Sequence, residues 1–214
     1  MTVIRNIIFD LDGTLIDSAS AILVGFRSAF QSCDLSPKVA LDASVVGPPL
    51  QETLSYLAGT DEQSVVDCLS SAFKSDYDEV GYRESAVYPG IPQMLQALKE
   101  NGFDLYIATN KRHDPTQKII KFLEWQGFFN AVYSLDSSNP SLSNKAELIS
   151  RIIEKHQLDL SITTYIGDRE EDNHAASVNA MACILVEWGY GEFVKDGTIP
   201  RAKSPSKLTE LLST

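Results

Sequence analysis

An apolar run leads directly into two aspartates in the segment Asn6-Ile7-Ile8-Phe9-Asp10-Leu11-Asp12-Gly13-Thr14-Leu15. The β-branched and aromatic residues predict a buried strand over residues 3–9. Asp10 and Asp12 follow without an adjacent cation, so their carboxylates repel each other at a poorly solvated strand end. A hard divalent cation is the simplest way to neutralise them, and a turn at Gly13 lets the Asp12 carbonyl add an oxygen ligand. We therefore predict a Mg2+ site with Asp10 and Asp12 among its ligands.

Four further apolar runs of strand length lie at residues 105–109, 131–135, 162–166 and 182–187. Helical patterns alternate with them at residues 91–101, 115–126, 145–156 and 171–180. This alternation implies right-handed crossovers and a parallel sheet. The predicted fold class is α/β, with a doubly wound, Rossmann-like core.

The interval between the first two predicted strands breaks the alternation. No convincing strand pattern occurs from about residue 18 to 86, whereas residues 19, 22, 23, 26 and 30 place apolar side chains on one helical face. Residues 50–57 and 62–77 are also helical in pattern. We predict an all-helical cap domain of residues 17–86, inserted into an α/β core of residues 1–16 and 87–214. Such a cap would lie over the strand ends, where open α/β sheets bind ligands.

Two later segments bring polar groups to the same edge of the predicted sheet. Thr109 and Asn110 follow the second core strand and are predicted to bind phosphate oxygens. Lys145 stands in the first turn of a helix that Asn144 caps, where a cation is disfavoured by roughly 0.3–1 kcal/mol. A bound phosphate would remove that penalty. We therefore predict that Lys145 is a catalytic residue that binds phosphate.

Two more acids follow the predicted strand at residues 162–166. Asp168 is predicted to be a metal ligand, and Asp172, one helical turn later, to support the site by orienting Lys145 or a metal-bound water. Asp114 precedes a proline at the start of a helical pattern and is predicted to cap that helix rather than to catalyse.

The composition narrows the possible partners and compartments. The formal charge of -11 and the pI of about 4.7 argue against binding to nucleic acid or to an anionic membrane. Cys33, Cys68 and Cys183 lack metal-ligand spacing and are expected to be small buried residues without disulfides, in a reducing compartment. Because no signal or membrane-spanning pattern occurs near the start, a cytoplasmic location is expected.

The chain resembles the haloacid dehalogenase superfamily over essentially its whole length. Its four motifs are matched, in order, by Asp10-Leu11-Asp12-Gly13-Thr14, Thr109, Lys145 and Gly167-Asp168-x-x-x-Asp172. Four segments resemble the phosphoglycolate phosphatase-like branch in particular. They are Gly47-Pro48-Pro49-Leu50, Tyr88-Pro89-Gly90-Ile91, Ala108-Thr109-Asn110-Lys111 and Trp188-Gly189-Tyr190-Gly191.

This resemblance implies a Mg2+-dependent phosphatase that acts on a small phosphorylated metabolite. Asp10 would be the nucleophile that becomes an aspartyl-phosphate, and Asp12 would transfer protons. Thr109 and Lys145 would hold the phosphoryl oxygens while the cap excludes water. Asp10, the Asp12 carbonyl and Asp168 would hold the metal.

Several alternatives remain open at this stage. The substrate could be phosphoglycolate, a nucleoside monophosphate or pyrophosphate, and a phosphomutase would use the same site chemistry. A dehalogenase is disfavoured because Asp12 would have no proton to transfer, and a phosphatase-like binding protein is disfavoured because every motif residue is present. Residues 47–50 could form a specificity loop or a rigid turn. Gly189-Tyr190-Gly191 is predicted to be a turn rather than a cofactor site, and the oligomeric state, monomer or homodimer, is not predicted.

Overall fold

Parallel strands form the central sheet in the computed structural model, which describes residues 4–191 and 199–213. The strands of the chain are β1 (Asn6–Phe9), β2 (Ile16–Asp17), β3 (Ala86–Val87), β4 (Asp104–Thr109), β5 (Ala131–Ser134), β6 (Thr163–Gly167), β7 (Ala182–Val186) and β8 (Arg201–Ala202). In the described part of the chain, the main sheet has the order β5-β4-β1-β6-β7-β8 with every pair parallel. The predicted α/β class is confirmed. Residue 3 of the first predicted strand lies outside the described residues.

Helices cover both faces of this sheet. The α-helices are α1 (Ala19–Ser32), α2 (Leu50–Ala58), α3 (Gln63–Tyr77), α4 (Ile91–Glu100), α5 (His113–Phe122), α6 (Lys145–His156), α7 (Glu170–Val178) and α8 (Pro205–Leu212). Strand β1 shows why three apolar residues follow one another in it: Ile7 and Phe9 pack into one core cluster, and Ile8 packs into the cluster on the opposite face.

The inserted segment has its own hydrophobic core. Helices α1, α2 and α3 bury a cluster in which Phe26 and Phe73 lie 5.0 Å apart between ring centroids, and Phe73 and Tyr77 lie 5.1 Å apart. An antiparallel ribbon of β2 and β3 stands where the sequence predicted the segment to leave and rejoin the core. The sequence did not predict this ribbon, because two residues per strand are too few for a periodic pattern.

Two local predictions were wrong. Cys33 and Cys68 form a disulfide between the end of α1 and the middle of α3, although neither cysteine was expected to pair; Cys183 is buried and outside any disulfide. Helix α5 begins at His113 with Arg112 as the N-cap residue, so Asp114 lies inside the first turn and is not the cap. The Thr116 hydroxyl donates back to the Arg112 carbonyl at 2.7 Å, which extends the helical hydrogen bonding ahead of the proline.

The helices considered as possible membrane spans are those of residues 4–191 and 199–213. None of the helices there has both the length and the apolar character that a membrane crossing requires.

Candidate active site

The main site residues lie at or just after the ends of three neighbouring strands. Phe9 of β1 pairs with Ile107 of β4 and with Ile166 of β6. The one or two residues that come after each of these three therefore lie at the same edge of the sheet. Asp10, Thr109 and Asp168 are therefore brought together by register, and all three are buried. Such a crevice, beside the carboxyl ends of central parallel strands, is where open α/β folds bind ligands.

Three carboxylates crowd this edge. Asp10, Asp168 and Asp172 each offer an oxygen, and these oxygens all lie within 4.8 Å of one another. Burial raises the pKa of Asp10 to about 7, because Lys145 only partly offsets the loss of water and the neighbouring acids add repulsion. Burial and the charge of Asp172 raise the pKa of Asp168 to about 6. The nearby cationic side chains therefore do not fully offset the negative charge of these carboxylates.

Lys145 supplies the ammonium of the cluster. It is the first residue of α6, and Asn144 caps the helix by accepting from the Glu147 amide at 3.0 Å, as predicted. The ammonium lies 3.2 Å from Asp10 Oδ2 and 2.6 Å from Asp172 Oδ1. Burial disfavours its charge, but these two acids outweigh that effect and raise the pKa of Lys145 above its ordinary value.

The unused oxygens of the cluster match a hard cation. Among the described residues, Asp10 Oδ1 and Asp168 Oδ1 are buried and accept no hydrogen bond. Asp172, in contrast, is occupied, because its Oδ2 accepts from the amides of Asp168 at 3.1 Å and Arg169 at 3.0 Å. Buried carboxylate oxygens without partners are costly unless a ligand satisfies them, and Mg2+ prefers such oxygens. Asp10 and Asp168 thus fit the predicted metal, whereas the remaining oxygen of Asp172 contacts the Lys145 ammonium.

The loop after β7 holds Asp168 in place. Asp168 Oδ2 accepts from the Tyr190 amide at 2.7 Å and the Gly191 amide at 3.2 Å. A side chain at Gly189 would place its Cβ only 2.3 Å from the Gly13 carbonyl oxygen, so the close approach of the two loops requires glycine. The sequence predicted only a turn here. Its role at the acid cluster depends on a contact between residues far apart in the chain.

Asp12 occupies a different environment from Asp10. Its carboxylate accepts hydrogen bonds from the Ser18 hydroxyl and from the Lys111 ammonium, which lies 3.0 Å from Oδ1 and 3.2 Å from Oδ2. Burial opposes the charge of Lys111, but Asp12 and the nearby Tyr77 oxygen raise the pKa of Lys111 above its ordinary value. Asp12 thus directs its carboxylate toward Lys111, and only its backbone carbonyl remains as the metal ligand predicted from the sequence.

Sequence reasoning missed Lys111. The residue lies two positions after Thr109, and its side chain is only 6% exposed. A lysine directly after a predicted phosphate-binding pair was the available signal. The contact with Asp12 could not be read from that signal, because 99 residues separate the two in sequence.

The cap segment contacts these loops directly. Asn110 donates to the Gly47 carbonyl at 3.1 Å, and the Arg169 guanidinium donates to the carbonyls of Ala43 at 3.2 Å and Ser44 at 3.1 Å. Arg112 forms a salt bridge with Asp78 at the end of α3. The loop of residues 47–50 therefore reaches the site. Asn110, which the sequence predicted to bind phosphate, donates its hydrogen bond to this loop instead.

Two cavities meet at this loop, and Gly47, Pro48 and Asn110 line both of them. The larger, of about 840 Å³, contains Asp10 and Lys145. The smaller, of about 50 Å³, contains Asp12 and Lys111 beneath apolar residues of the cap. The site thus combines a buried carboxylate beside an ammonium with a second, separately held carboxylate, an arrangement that suits chemistry on an anionic group.

The sequence profile of a family described as haloacid dehalogenase-like hydrolase matches residues 7–186. The chain belongs to this family. This haloacid dehalogenase-like hydrolase is 33% identical over 208 residues to a phosphoglycolate phosphatase of Rhodobacter capsulatus, covering 92% of this chain and 90% of that protein. It is 32% identical over 187 residues to a 5'-nucleotidase of Pseudomonas aeruginosa, covering 87% and 84%.

A solved structure also resembles the hydrolase along its whole length. A predicted phosphatase from Clostridium acetobutylicum superimposes with a TM-score of 0.86 at 28% identity, covering 98% of each chain. The predicted superfamily, its phosphoglycolate phosphatase-like branch and the predicted phosphatase class are confirmed by these similarities.

Proposed function

We propose that this phosphatase hydrolyses a small phosphomonoester of the phosphoglycolate type, using Asp10 as a covalent nucleophile and Mg2+ as cofactor. One observation carries the proposal: Asp10 Oδ2 lies 3.2 Å from Lys145, while Oδ1 is buried without a hydrogen-bond partner among the described residues. The first contact orients the carboxylate, and the second leaves one oxygen available to the metal or to phosphorus.

Each group of the site has a separate task in this proposal. Asp10, Asp168 and the Asp12 carbonyl would hold Mg2+, which when bound supplies positive charge that offsets the carboxylates and the phosphoryl oxygens. Lys145, Thr109 and Asn110 would hold the remaining phosphoryl oxygens. Asn110 must then exchange its hydrogen bond to Gly47 for one to the substrate.

The first step transfers the phosphoryl group to the protein. A carboxylate oxygen of Asp10 forms a bond to phosphorus while the bond from phosphorus to the ester oxygen breaks, leaving an aspartyl-phosphate. The departing alkoxide takes a proton from the Asp12 carboxyl group. Lys111 and Ser18 hold that carboxyl group in position throughout.

The second step returns Asp10 to its starting state. Asp12, now a carboxylate, takes a proton from water as the water oxygen bonds to phosphorus. The bond between phosphorus and Asp10 then breaks, and inorganic phosphate leaves. The cap, held by the contacts of Asn110, Arg112 and Arg169, keeps other water from the intermediate.

A 5'-nucleotide is the second candidate substrate. The similarity to the 5'-nucleotidase of Pseudomonas aeruginosa favours it. The chain is 32% identical to that protein and 33% identical to the phosphoglycolate phosphatase of Rhodobacter capsulatus, so the two relatives are about equally similar. Both substrates present the same phosphoryl group to Asp10, so the mechanism proposed here applies equally to each.

Phosphate release from 2-phosphoglycolate, acetyl phosphate and a 5'-nucleotide, measured with and without Mg2+, tests the proposal. We expect Mg2+-dependent turnover that falls at least about 1,000-fold in Asp10→Asn, because an amide cannot form the phosphoryl intermediate. Asp61→Asn, at an exposed acid between α2 and α3, is the matched control and should retain full activity. Unchanged turnover in Asp10→Asn would remove the covalent mechanism.

A further inference from the structure

The loop after β7 contacts the segment through which the chain enters the cap. The Trp188 indole donates to the Thr14 carbonyl at 2.9 Å, and the Tyr190 ring packs against the hydrophobic cluster of the cap. Only the backbone amide of Tyr190 contributes to the hydrogen bond that holds Asp168. The phosphoryl chemistry therefore leaves the Tyr190 hydroxyl without a task.

The Tyr190 hydroxyl binds consecutive residues at the point where α1 begins. It accepts from the amides of Ser18 at 2.6 Å and Ala19 at 3.0 Å, and it donates to Asp17 Oδ1 at 2.9 Å. Asp17 Oδ1 also accepts from the Ala19 amide at 3.2 Å. Tyr88, directly after β3, forms a further side-chain hydrogen bond with Tyr190. The hydroxyl thus ties both crossings between core and cap to the loop after β7.

Ser18 does not cap α1 in the usual way. A serine before the first helical residue commonly accepts a hydrogen bond from an amide of the first turn, but the Ser18 side chain makes no such bond. Its hydroxyl donates instead to Asp12 Oδ1, and Ser18 is fully buried. The first turn of α1 contains no acidic residue either. Tyr190 supplies an acceptor from a distant part of the chain, while the Ser18 hydroxyl is directed toward Asp12.

Resting on the proposed function, we infer that Tyr190 is a positioning residue for proton transfer by Asp12. Its hydroxyl fixes the backbone of Ser18, and the Ser18 hydroxyl in turn orients the Asp12 carboxyl group toward the leaving oxygen. The Tyr190 side chain lines neither of the two cavities, so it acts through Ser18 and not on the substrate. One residue thereby positions a proposed metal ligand through its backbone and the proton-transfer group through its side chain.

Tyr190→Phe separates these two contacts, because it removes the hydroxyl and keeps the amide and the ring. We expect kcat/KM for 2-phosphoglycolate, or for a 5'-nucleotide if that is hydrolysed faster, to fall about 5- to 30-fold through the lost hydrogen bonds. Acetyl phosphate releases acetate, which needs no proton, so the rate of its acetate burst should stay within about twofold of the wild type. A loosened cap would slow both substrates alike, and that result in rapid-quench kinetics would overturn the inference.

A double-mutant cycle with Ser18→Ala tests whether Tyr190 acts through Ser18. Ser18→Ala keeps the amide that Tyr190 binds and removes the hydroxyl that orients Asp12, so we expect a loss of about 10- to 100-fold with the same ester. The double variant should lie within about twofold of Ser18→Ala alone. Losses that multiply would show that Tyr190 acts by another route. Tyr56→Phe, at an exposed tyrosine of α2, is the matched control and should leave each rate unchanged.

Asp17→Ala gives the same comparison at an exposed residue if Tyr190→Phe does not fold. It removes the acceptor of the Tyr190 hydroxyl, and we expect a loss of about 2- to 5-fold with the ester and none in the acetate burst. Equal slowing of both substrates would contradict the inference and leave the phosphatase mechanism standing. Absence of turnover by the wild type with 2-phosphoglycolate, a 5'-nucleotide and acetyl phosphate would overturn the proposed function, and the inference with it.

Discussion

The two halves of the site are built in opposite ways. At the phosphoryl end, Asp10, Asp168 and Asp172 lie around the ammonium of Lys145, and among the described residues the buried Oδ1 atoms of Asp10 and Asp168 accept no hydrogen bond. At the leaving-group end, Asp12 is matched one to one by Lys111 and supported by Ser18. The charged side chains of the first end come from loops and helices of the core, whereas the second end lies beneath the cap.

This difference suggests that the first end carries out the phosphoryl chemistry and that the second end discriminates among substrates. An excess of buried negative charge that a cation can offset suits the activation of a phosphoryl group, which is the same in every phosphomonoester. A neutral pair beneath an apolar cover adds little to that step but can discriminate among leaving groups by size and charge. Changes at the first end should therefore slow all substrates alike, and changes at the second should depend on the ester.

Asp12→Asn should have the largest effect that depends on the ester. We expect kcat/KM for 2-phosphoglycolate to fall about 100- to 10,000-fold, because its alkoxide leaving group needs a proton. Acetyl phosphate loses a stable acetate, so formation of the aspartyl-phosphate should be nearly preserved. Rapid-quench measurement of acetate should show a burst of about one equivalent before slow turnover. Equal slowing of the first step with 2-phosphoglycolate and with acetyl phosphate would remove Asp12 from the role of acid.

Lys145→Met should slow turnover of 2-phosphoglycolate and of acetyl phosphate equally, by about 100- to 1,000-fold in kcat/KM, because it removes one donor to the transferred phosphoryl group. Steady-state kinetics provides the measurement. Lys121→Met, at an exposed residue near the end of α5, serves as the matched control. A loss confined to one ester would contradict the division between the two ends.

Reduction of the Cys33–Cys68 disulfide should destabilise the cap. The bridge closes a separation of 35 residues, for which chain entropy predicts a contribution of about 3–4 kcal/mol to the free energy of unfolding. Urea unfolding with and without a dithiol reductant measures it. The double variant Cys33→Ser, Cys68→Ser should start at the lower stability and not respond to the reductant; a response in that variant would place the effect elsewhere.

Mg2+ should stabilise the folded protein through the phosphoryl end. At roughly 100 times Kd, binding contributes about 2.7 kcal/mol, which raises Tm by about 5–10 °C for a domain of this size. Asp168→Asn should abolish that rise, whereas Lys111→Met at the other end should keep it. Calorimetry without substrate therefore tests the metal ligands independently of catalysis, and the same rise in Asp168→Asn would exclude that ligand.

Local signals predicted much of the structure because their causes are local. Helix α6 begins as predicted at residue 145, because Asn144 and Glu147 cap its first turn, and it ends as predicted at residue 156, where Gln157 adopts the left-handed conformation. Helix α5 began earlier than predicted. A proline tolerates the whole first turn, so its position alone could not identify the cap residue.

The pairings that the sequence could not predict depend on packing between distant segments. Cys33 and Cys68 meet because α1 and α3 pack against each other in the cap. Neither the 35-residue separation nor the odd number of cysteines indicates that contact. Likewise, the amides of Tyr190 and Gly191 reach Asp168 only because the loops after β6 and β7 lie side by side.

By itself, the sequence determined the family, the alternating α/β core, the helical insertion and the acids and lysine of the phosphoryl end. Those features follow from periodicity and from motifs at strand ends, and parallel pairing necessarily collects strand ends at one edge. Only the tertiary structure decided that Lys111 holds Asp12, and that this pair lines a different cavity from the one that Asp10 and Lys145 line. The reason is physical. The cap packs α1, α3 and the loop of residues 47–50 against the core, and the spacing of residues along the chain does not indicate that contact.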